Sequence, residues 1–279
     1  MGSLREHHSV RVSPRHSVAI DDDYYTLIRR APEQDFVVRT LARKMAGNTP
    51  LMTGDLVIAG RSTRDRHPLA NSYPLHFRKT YYAAHLGGDT RIEFERHTRA
   101  SEAIGVPPPI GHAGGTFRSC LLPGRPFDQI LPFGSEPPES NIRHAERLTL
   151  GDAAGLWLLA ERMMSALTAL HEAGLTHGDA ELHNFIVCHG PLDVVPIDFD
   201  MAVVRGVLDE DEWQRRCAAD LDPLLKIAIF LQCALGAQEG PLAVRSLGQV
   251  NRLFPRDEPF RRAIDARARL LAPALPLPG

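Results

Sequence analysis

The stretch Leu175-Thr176-His177-Gly178-Asp179-Ala180-Glu181-Leu182-His183-Asn184-Phe185-Ile186-Val187, followed further on by Ile197-Asp198-Phe199-Asp200, decides how this chain reads. Phe185 to Cys188 and Val194 to Ile197 are short apolar runs of strand type, and His189-Gly190-Pro191 between them is turn chemistry, so the pair predicts a β-hairpin. An Asp on a loop, an Asn five residues later at the start of a strand and a second Asp after the hairpin bring three oxygen donors to one edge. Hard oxygen donors of this kind suit Mg²⁺. Taken singly, each residue reads equally well as part of a capped turn.

Working outward, the segment before this stretch predicts a helix: Asp152 is placed as its cap, Leu156, Leu159, Met163, Leu167 and Leu170 share one face, and it ends near Gly174. Beyond Asp200 helices dominate, with Leu221 to Leu235 the most apolar, before a Pro-rich tail from Pro273. The first half has another character. Phe36 to Val38, Asp55 to Ala59, Leu75 to Tyr81 and Thr116 to Leu122 predict strands of an antiparallel sheet. Arg91 to Ile104 predicts one helix, stopped by Gly105 and a triple proline. Residues 1–34 read as a loose extension or a short helix around Tyr24 to Ile28, and Pro132 to Asn141 as an exposed loop. The domain reading is therefore an extension (1–34), a strand-rich lobe of sheet plus one helix (35–122) and a helical lobe (123–279), an α+β chain in two lobes.

Composition narrows the function classes. A length of 279 residues can bury two modest cores. A formal net charge of -2 with both signs interspersed argues against nucleic acid as the main partner. Cys120, Cys188, Cys217 and Cys233 form no CxxC pair and read as core residues of a reducing compartment. No apolar run approaches the roughly 18 residues of a membrane span, and the polar N-terminus is not of secretory type. The expected location is cytoplasmic.

Phosphoryl transfer from ATP needs a carboxylate to orient the acceptor hydroxyl and oxygen ligands to hold Mg on the phosphates. His177-Gly178-Asp179 with Asn184 resembles the HxDxxxxN catalytic loop of the protein-kinase-like superfamily, and Asp198-Phe199-Asp200 falls where that superfamily has DFG. The resemblance implies a bilobal protein-kinase-like fold with a β-rich N-lobe and a helical C-lobe. It implies Asp179 as catalytic base or hydroxyl-positioning residue, Asn184 and Asp198 as catalytic Mg ligands, and His177 as structural support. It also asks for a strand lysine on the ATP phosphates and a helix glutamate to hold it. Of the chain's lysines, Lys44, Lys79 and Lys226, only Lys79 fits: Lys44 reads as lying before the sheet proper and Lys226 in a C-terminal helix. In so arginine-rich a chain, a lysine on a strand suggests a need for a compact ammonium, with a solvated surface lysine as the alternative. Glu93 and Glu95 both follow Lys79. Glu93 has the better register, with Ala100 and Ile104 further along its face, but both stay open.

Ser119-Cys120-Leu121-Leu122, running into Pro123-Gly124-Arg125-Pro126-Phe127, resembles the adenine-binding hinge of aminoglycoside-phosphotransferase-like kinases. Asp220 falls where the superfamily keeps an Asp bonded to the catalytic-loop backbone, or else is a helix N-cap. There are departures. No GxGxxG occurs, only Ala59-Gly60-Arg61-Ser62 between early strands, and the Arg61 to Arg66 run reads as a solvated turn. Glu181 stands where Ser/Thr protein kinases carry Lys, and there is neither a full activation segment nor an APE triplet. The resemblance is thus to the compact small-molecule and atypical branch, with aminoglycoside phosphotransferases, lipopolysaccharide-core kinases and the Rio and KEOPS kinases. It implies transfer from Mg-ATP to a hydroxylated small molecule or polar glycolipid. The alternatives are an atypical Ser/Thr protein kinase or ATPase module acting with a protein partner, and a nucleotide-binding pseudokinase. A zinc set of His177, His183 and His189 is the weakest reading.

Overall fold

The structure is a computed structural model that describes residues 7–82, 89–130, 150–188, 193–224 and 227. The chain divides into two compact units, Met1–Gly124 with Asp198–Val203, and Arg125–Ile197 with Val204–Gly279. It is a mixed structure, strand-rich in the first unit and, among the described residues of the second, carrying one long helix and a shorter one.

The first unit opens with strands β1 (His7–Arg11) and β2 (Ser17–Asp21), an antiparallel hairpin, and helix α1 (Asp22–Arg30). This corrects the expectation of a loose extension. Val10 and Val12, then Val18 and Ile20, alternate within a polar stretch, and Val10, Val12 and Ile28 form a core with Ile58 and Leu75. The five-stranded sheet follows, with β3 (Phe36–Ala46), β4 (Thr49–Ile58), β5 (Leu75–Tyr81), β6 (Pro109–Ala113) and β7 (Thr116–Cys120) in the order β3-β4-β5-β7-β6, every pairing antiparallel.

Two readings are corrected here. Lys44 lies inside β3, an exposed edge strand whose outward face carries no apolar alternation to betray it. The β3–β4 hairpin turns at Gly47-Asn48, whereas Ala59-Gly60 leads into α2 (Arg61–Arg66). That helix is no solvated turn, because Arg64 donates to the carbonyls of Ala59 and Ile28. A further short helix, α3 (Leu69–Ser72), precedes β5.

Helix α4 (Thr90–Ile104) is bounded by its own sequence. The Asp89 carboxylate caps it by accepting from the Arg91 amide at 3.0 Å, and Gly105 closes it at φ 67°. Its inward face is Thr90, Glu93, His97 and Ala100. The prolines after it do more than stop a helix: Pro109 begins edge strand β6, where a missing N–H costs no ladder bond. Within that strand Gly111 is required, since a Cβ there would meet the His67 ring at 2.1 Å.

The chain enters the second unit through β8 (Gly124–Pro126). Helix α5 (Leu150–Glu172) buries Leu156, Leu159, Met163, Leu167 and Leu170, the face read from the sequence. Asp152 lies in its first turn, so the helix does not start at that residue. Strand β9 (Leu175–Thr176) leads to a 3-10 turn at Leu182–Asn184 and the antiparallel hairpin of β10 (Phe185–Cys188) and β11 (Asp193–Pro196). After β12 (Val203–Val204), helix α6 (Glu210–Ala219) is capped by Asp209 and buries Trp213. The hairpin turn His189-Gly190-Pro191, the loop Pro132–Asn141, Lys226, Cys233, most of Leu221 to Leu235 and the Pro-rich tail lie outside the described residues. Among the described residues no helix is long and apolar enough to cross a membrane.

Candidate active site

In the first unit, strand period and helix period converge on one ammonium. Lys79 and Tyr81 are two apart on β5 and so share a face, while Glu93, Arg96 and His97 share a face of α4. Lys79 Nζ lies 2.6 Å from Asp198 Oδ1, 3.4 Å from Glu93 Oε1 and 3.4 Å from Asp200 Oδ2. Lys79 and Glu93 are buried, and Asp198 and Asp200 are 31% and 25% exposed. Two carboxylates from one short segment reach the same ammonium because Asp198 takes a left-handed φ of 66°, which Asp tolerates better than most residues, and a 3-10 turn over Phe199–Met201 follows.

Helix α4 holds that segment at two further points. Arg96 donates to the Asp200 carbonyl, and the His97 ring meets Phe199 edge-on with centroids 5.3 Å apart. His97 is itself fixed by Nε2, 2.9 Å from the Pro107 carbonyl, and burial pushes its pKa down to about 4. Burial alone would lower the Lys79 pKa, but Asp198, then Glu93 and Asp200, outweigh it and hold the ammonium well above its ordinary value. Burial pushes Glu93 up to about 7; Lys79 opposes this, while Asp198 and Asp200 add to it.

Between the two glutamates left open by the sequence, Glu93 faces Lys79, and Glu95 is exposed with Arg91 at 2.7 Å. The signal that would have found Arg96 and His97 is their position three and four residues beyond Glu93, and for Tyr81 it is two residues beyond Lys79. At the end of β7, Ser119 pairs in register with Phe77 and Cys120 with His76. Cys120 is buried, which pushes its thiol up to about 12, and Leu121 packs on the core that contains Ile58 and Leu75.

In the second unit the loop after β9 is anchored by a carboxylate. Asp220, 2% exposed, accepts from the His177 amide at 2.6 Å and the Gly178 amide at 2.8 Å, with His171 Nε2 at 2.9 Å. It follows the C-terminal end of α6, and its carboxylate is engaged by the backbone of the loop. His177 is fully buried, stacks on Phe185 and places Nε2 2.9 Å from the Ile197 carbonyl. Gly178 takes φ 81°, a conformation natural to glycine, and Asp179 emerges exposed. The Asn184 Nδ2 donates to the Asp179 carbonyl at 2.8 Å and to Asp179 Oδ2 at 3.0 Å. With Nδ2 so used, Oδ1 is the Asn184 atom suited to a hard cation. His183 is exposed and His189 lies outside the described residues; among the described residues no group of three His, Cys, Asp or Glu is arranged to hold a metal ion.

Among solved structures, the chain is similar to the kinase domain of Mycobacterium tuberculosis PknI, crystallised as a point mutant, with a TM-score of 0.40 and 16% identity over 73% of this chain and 74% of that one. No protein-family model matches the chain, and no curated protein matches it in sequence.

Proposed function

We propose that the chain is a Mg-ATP-dependent phosphotransferase of protein-kinase-like fold that carries the γ-phosphoryl group to a hydroxyl of a small molecule or polar glycolipid. The observation that carries the reading is the buried Lys79 ammonium, gripped by Glu93 of α4 and by Asp198 of the Asp198-Phe199-Asp200 segment. Three carboxylates around one ammonium leave an excess of negative charge that is costly in a partly buried place unless a cation also uses the site. Phosphates carrying Mg supply that cation, and an anion for Lys79. Lys79 would contact them, with Glu93 holding it in place.

The donor set also fits Mg. Asp198 and Asn184 each carry an oxygen of the hard type that Mg prefers. When bound, the ion would neutralise charge on the transferring phosphoryl group. Asp179, exposed at the tip of a loop whose backbone Asp220 fixes, is suited to accept or orient the acceptor hydroxyl. The Ser119–Leu122 backbone is assigned to the adenine edge, and His177 and Asp220 to support of the catalytic loop. Cytoplasmic location is part of the same reading.

The test is γ-phosphate transfer by the purified protein with Mg, wild type beside Asp179→Asn, against aminoglycosides, choline-like alcohols, sugars and a generic protein acceptor. Transfer to a small acceptor that the substitution abolishes supports the reading. Transfer to protein alone moves the assignment to an atypical protein kinase, and Mg-ATP binding without transfer to any acceptor moves it to a pseudokinase.

A further inference from the structure

The Lys79 cluster contains a hydroxyl that the functional reading leaves without a role. Tyr81 Oη is 3.1 Å from Glu93 Oε2 and 3.4 Å from Asp200 Oδ2, and its ring lies beside the ammonium, with Lys79 Nζ 5.0 Å from the ring centroid. A phenol has one proton to donate, so it serves only one of these carboxylates at a time. An ammonium has three, and here three carboxylates already take them. A phosphate oxygen arriving at Nζ must therefore displace a carboxylate.

The carboxylates are not equally able to leave. Asp198 and Asp200 are partly exposed and can turn to a cation or to water, whereas Glu93 is 2% exposed and has neither within reach. Uncompensated, a buried carboxylate is costly. We propose that Tyr81 is a positioning residue of this site: its hydroxyl, 3.1 Å from Glu93 Oε2, keeps Glu93 in place as Lys79 turns to the phosphates and the ammonium changes partners. The inference rests on the Mg-ATP reading. Burial raises the Tyr81 pKa, so the hydroxyl remains a donor across the neutral range.

The experiment is Tyr81→Phe, which keeps the ring and removes the hydroxyl, with Tyr82→Phe as control, since Tyr82 is 56% exposed and its hydroxyl lies 3.2 Å from the Thr53 hydroxyl. Mg-ATP affinity by calorimetry, KM and kcat, and the ligand-free Tm are measured on all three proteins. A hydrogen bond to a charged group is worth about tenfold or more in binding, so Kd and KM for Mg-ATP should rise about tenfold in Tyr81→Phe. Saturating kcat should change little, the ligand-free Tm should fall only slightly because Lys79 still serves Glu93 when no phosphate is bound, and Tyr82→Phe should match wild type. If wild type binds Mg-ATP and Tyr81→Phe binds equally well, the role of Tyr81 is overturned and the functional reading stands. That role is overturned in the same way if the Tm falls while affinity does not. If wild type itself fails to bind Mg-ATP, both are overturned.

Discussion

The two units hold their key residues by opposite means. Around Lys79, side chains hold side chains: three carboxylates and a phenol crowd one buried ammonium, and each contact can be exchanged for another. Around Asp179, a single buried carboxylate holds backbone amides, and the residue they present is exposed. A cluster of the first kind is suited to binding ligands that replace its internal partners. A loop of the second kind is placed by folding and is suited to a step in which position matters more than charge exchange.

The largest expected effects separate these two roles. Asp179→Asn should lower turnover at least about 100-fold while Mg-ATP binding survives, because a positioned carboxylate acts in the chemical step. Asp198→Ala should instead weaken Mg-ATP binding itself, measured by calorimetry. If the two variants exchange these phenotypes, the contrast between the units fails as a functional one.

Next comes the anchor. Asp220→Ala leaves the buried His177 amide without its acceptor, at about 1–3 kcal/mol, and removes a second bond to the exposed Gly178. For a chain of this size that should lower the Tm by about 5–15 °C. Asp220→Asn keeps one acceptor oxygen and should fall between the alanine variant and wild type, in Tm by calorimetry and in turnover. An unchanged Tm in both would mean that the loop is not held by this residue.

Glu93 gives the first unit a pH signature. Its pKa is raised from 4.5 to about 7 chiefly by burial, so the folded state keeps this proton better than the unfolded chain does. The stability it contributes is full below about pH 4.5 and is lost as pH rises toward about 7. Without Mg or nucleotide, the wild-type Tm should therefore decline relative to Glu93→Gln across that window and run parallel to it above. A wild-type advantage that grows with pH would show that Lys79, rather than burial, governs this carboxyl.

How much of this was legible in the sequence follows the same division. The contact of Asp179 with Asn184, the apolar face of α5 and the hairpin of β10 and β11 could be read because spacing is local: five residues link Asp179 to Asn184, and the helix period links Leu156 to Leu170. The N-terminal hairpin was hidden because four aliphatic residues alternate in a stretch otherwise rich in His, Arg and Asp. The extent of β3 beyond Val38 was hidden because an exposed edge needs no apolar face. The partners of Lys79 were the hardest, since Asp198 lies 119 residues away and no period in the sequence connects them. Tyr81 was within reach of a period-two argument, but a tyrosine on a strand is ordinary until the carboxylates beside it are known.

The smallest effect tests the choice between the two glutamates of α4. Glu93 and Glu95 are two apart, so on a helix they point in different directions, and the structure gives one to the buried ammonium and the other to Arg91 at the surface. The Arg91–Glu95 pair is more than half exposed on both sides, where such pairs contribute about 0–1 kcal/mol. Glu95→Gln should accordingly shift the Tm by no more than about 2–4 °C and leave the Mg-ATP affinity at the wild-type value. The result is informative because the substitution is chemically identical to Glu93→Gln and lies half a turn away. If Glu95→Gln weakened Mg-ATP binding, the helix would have to rotate for the site to work, and the ligand-free arrangement around Lys79 would not be the binding one.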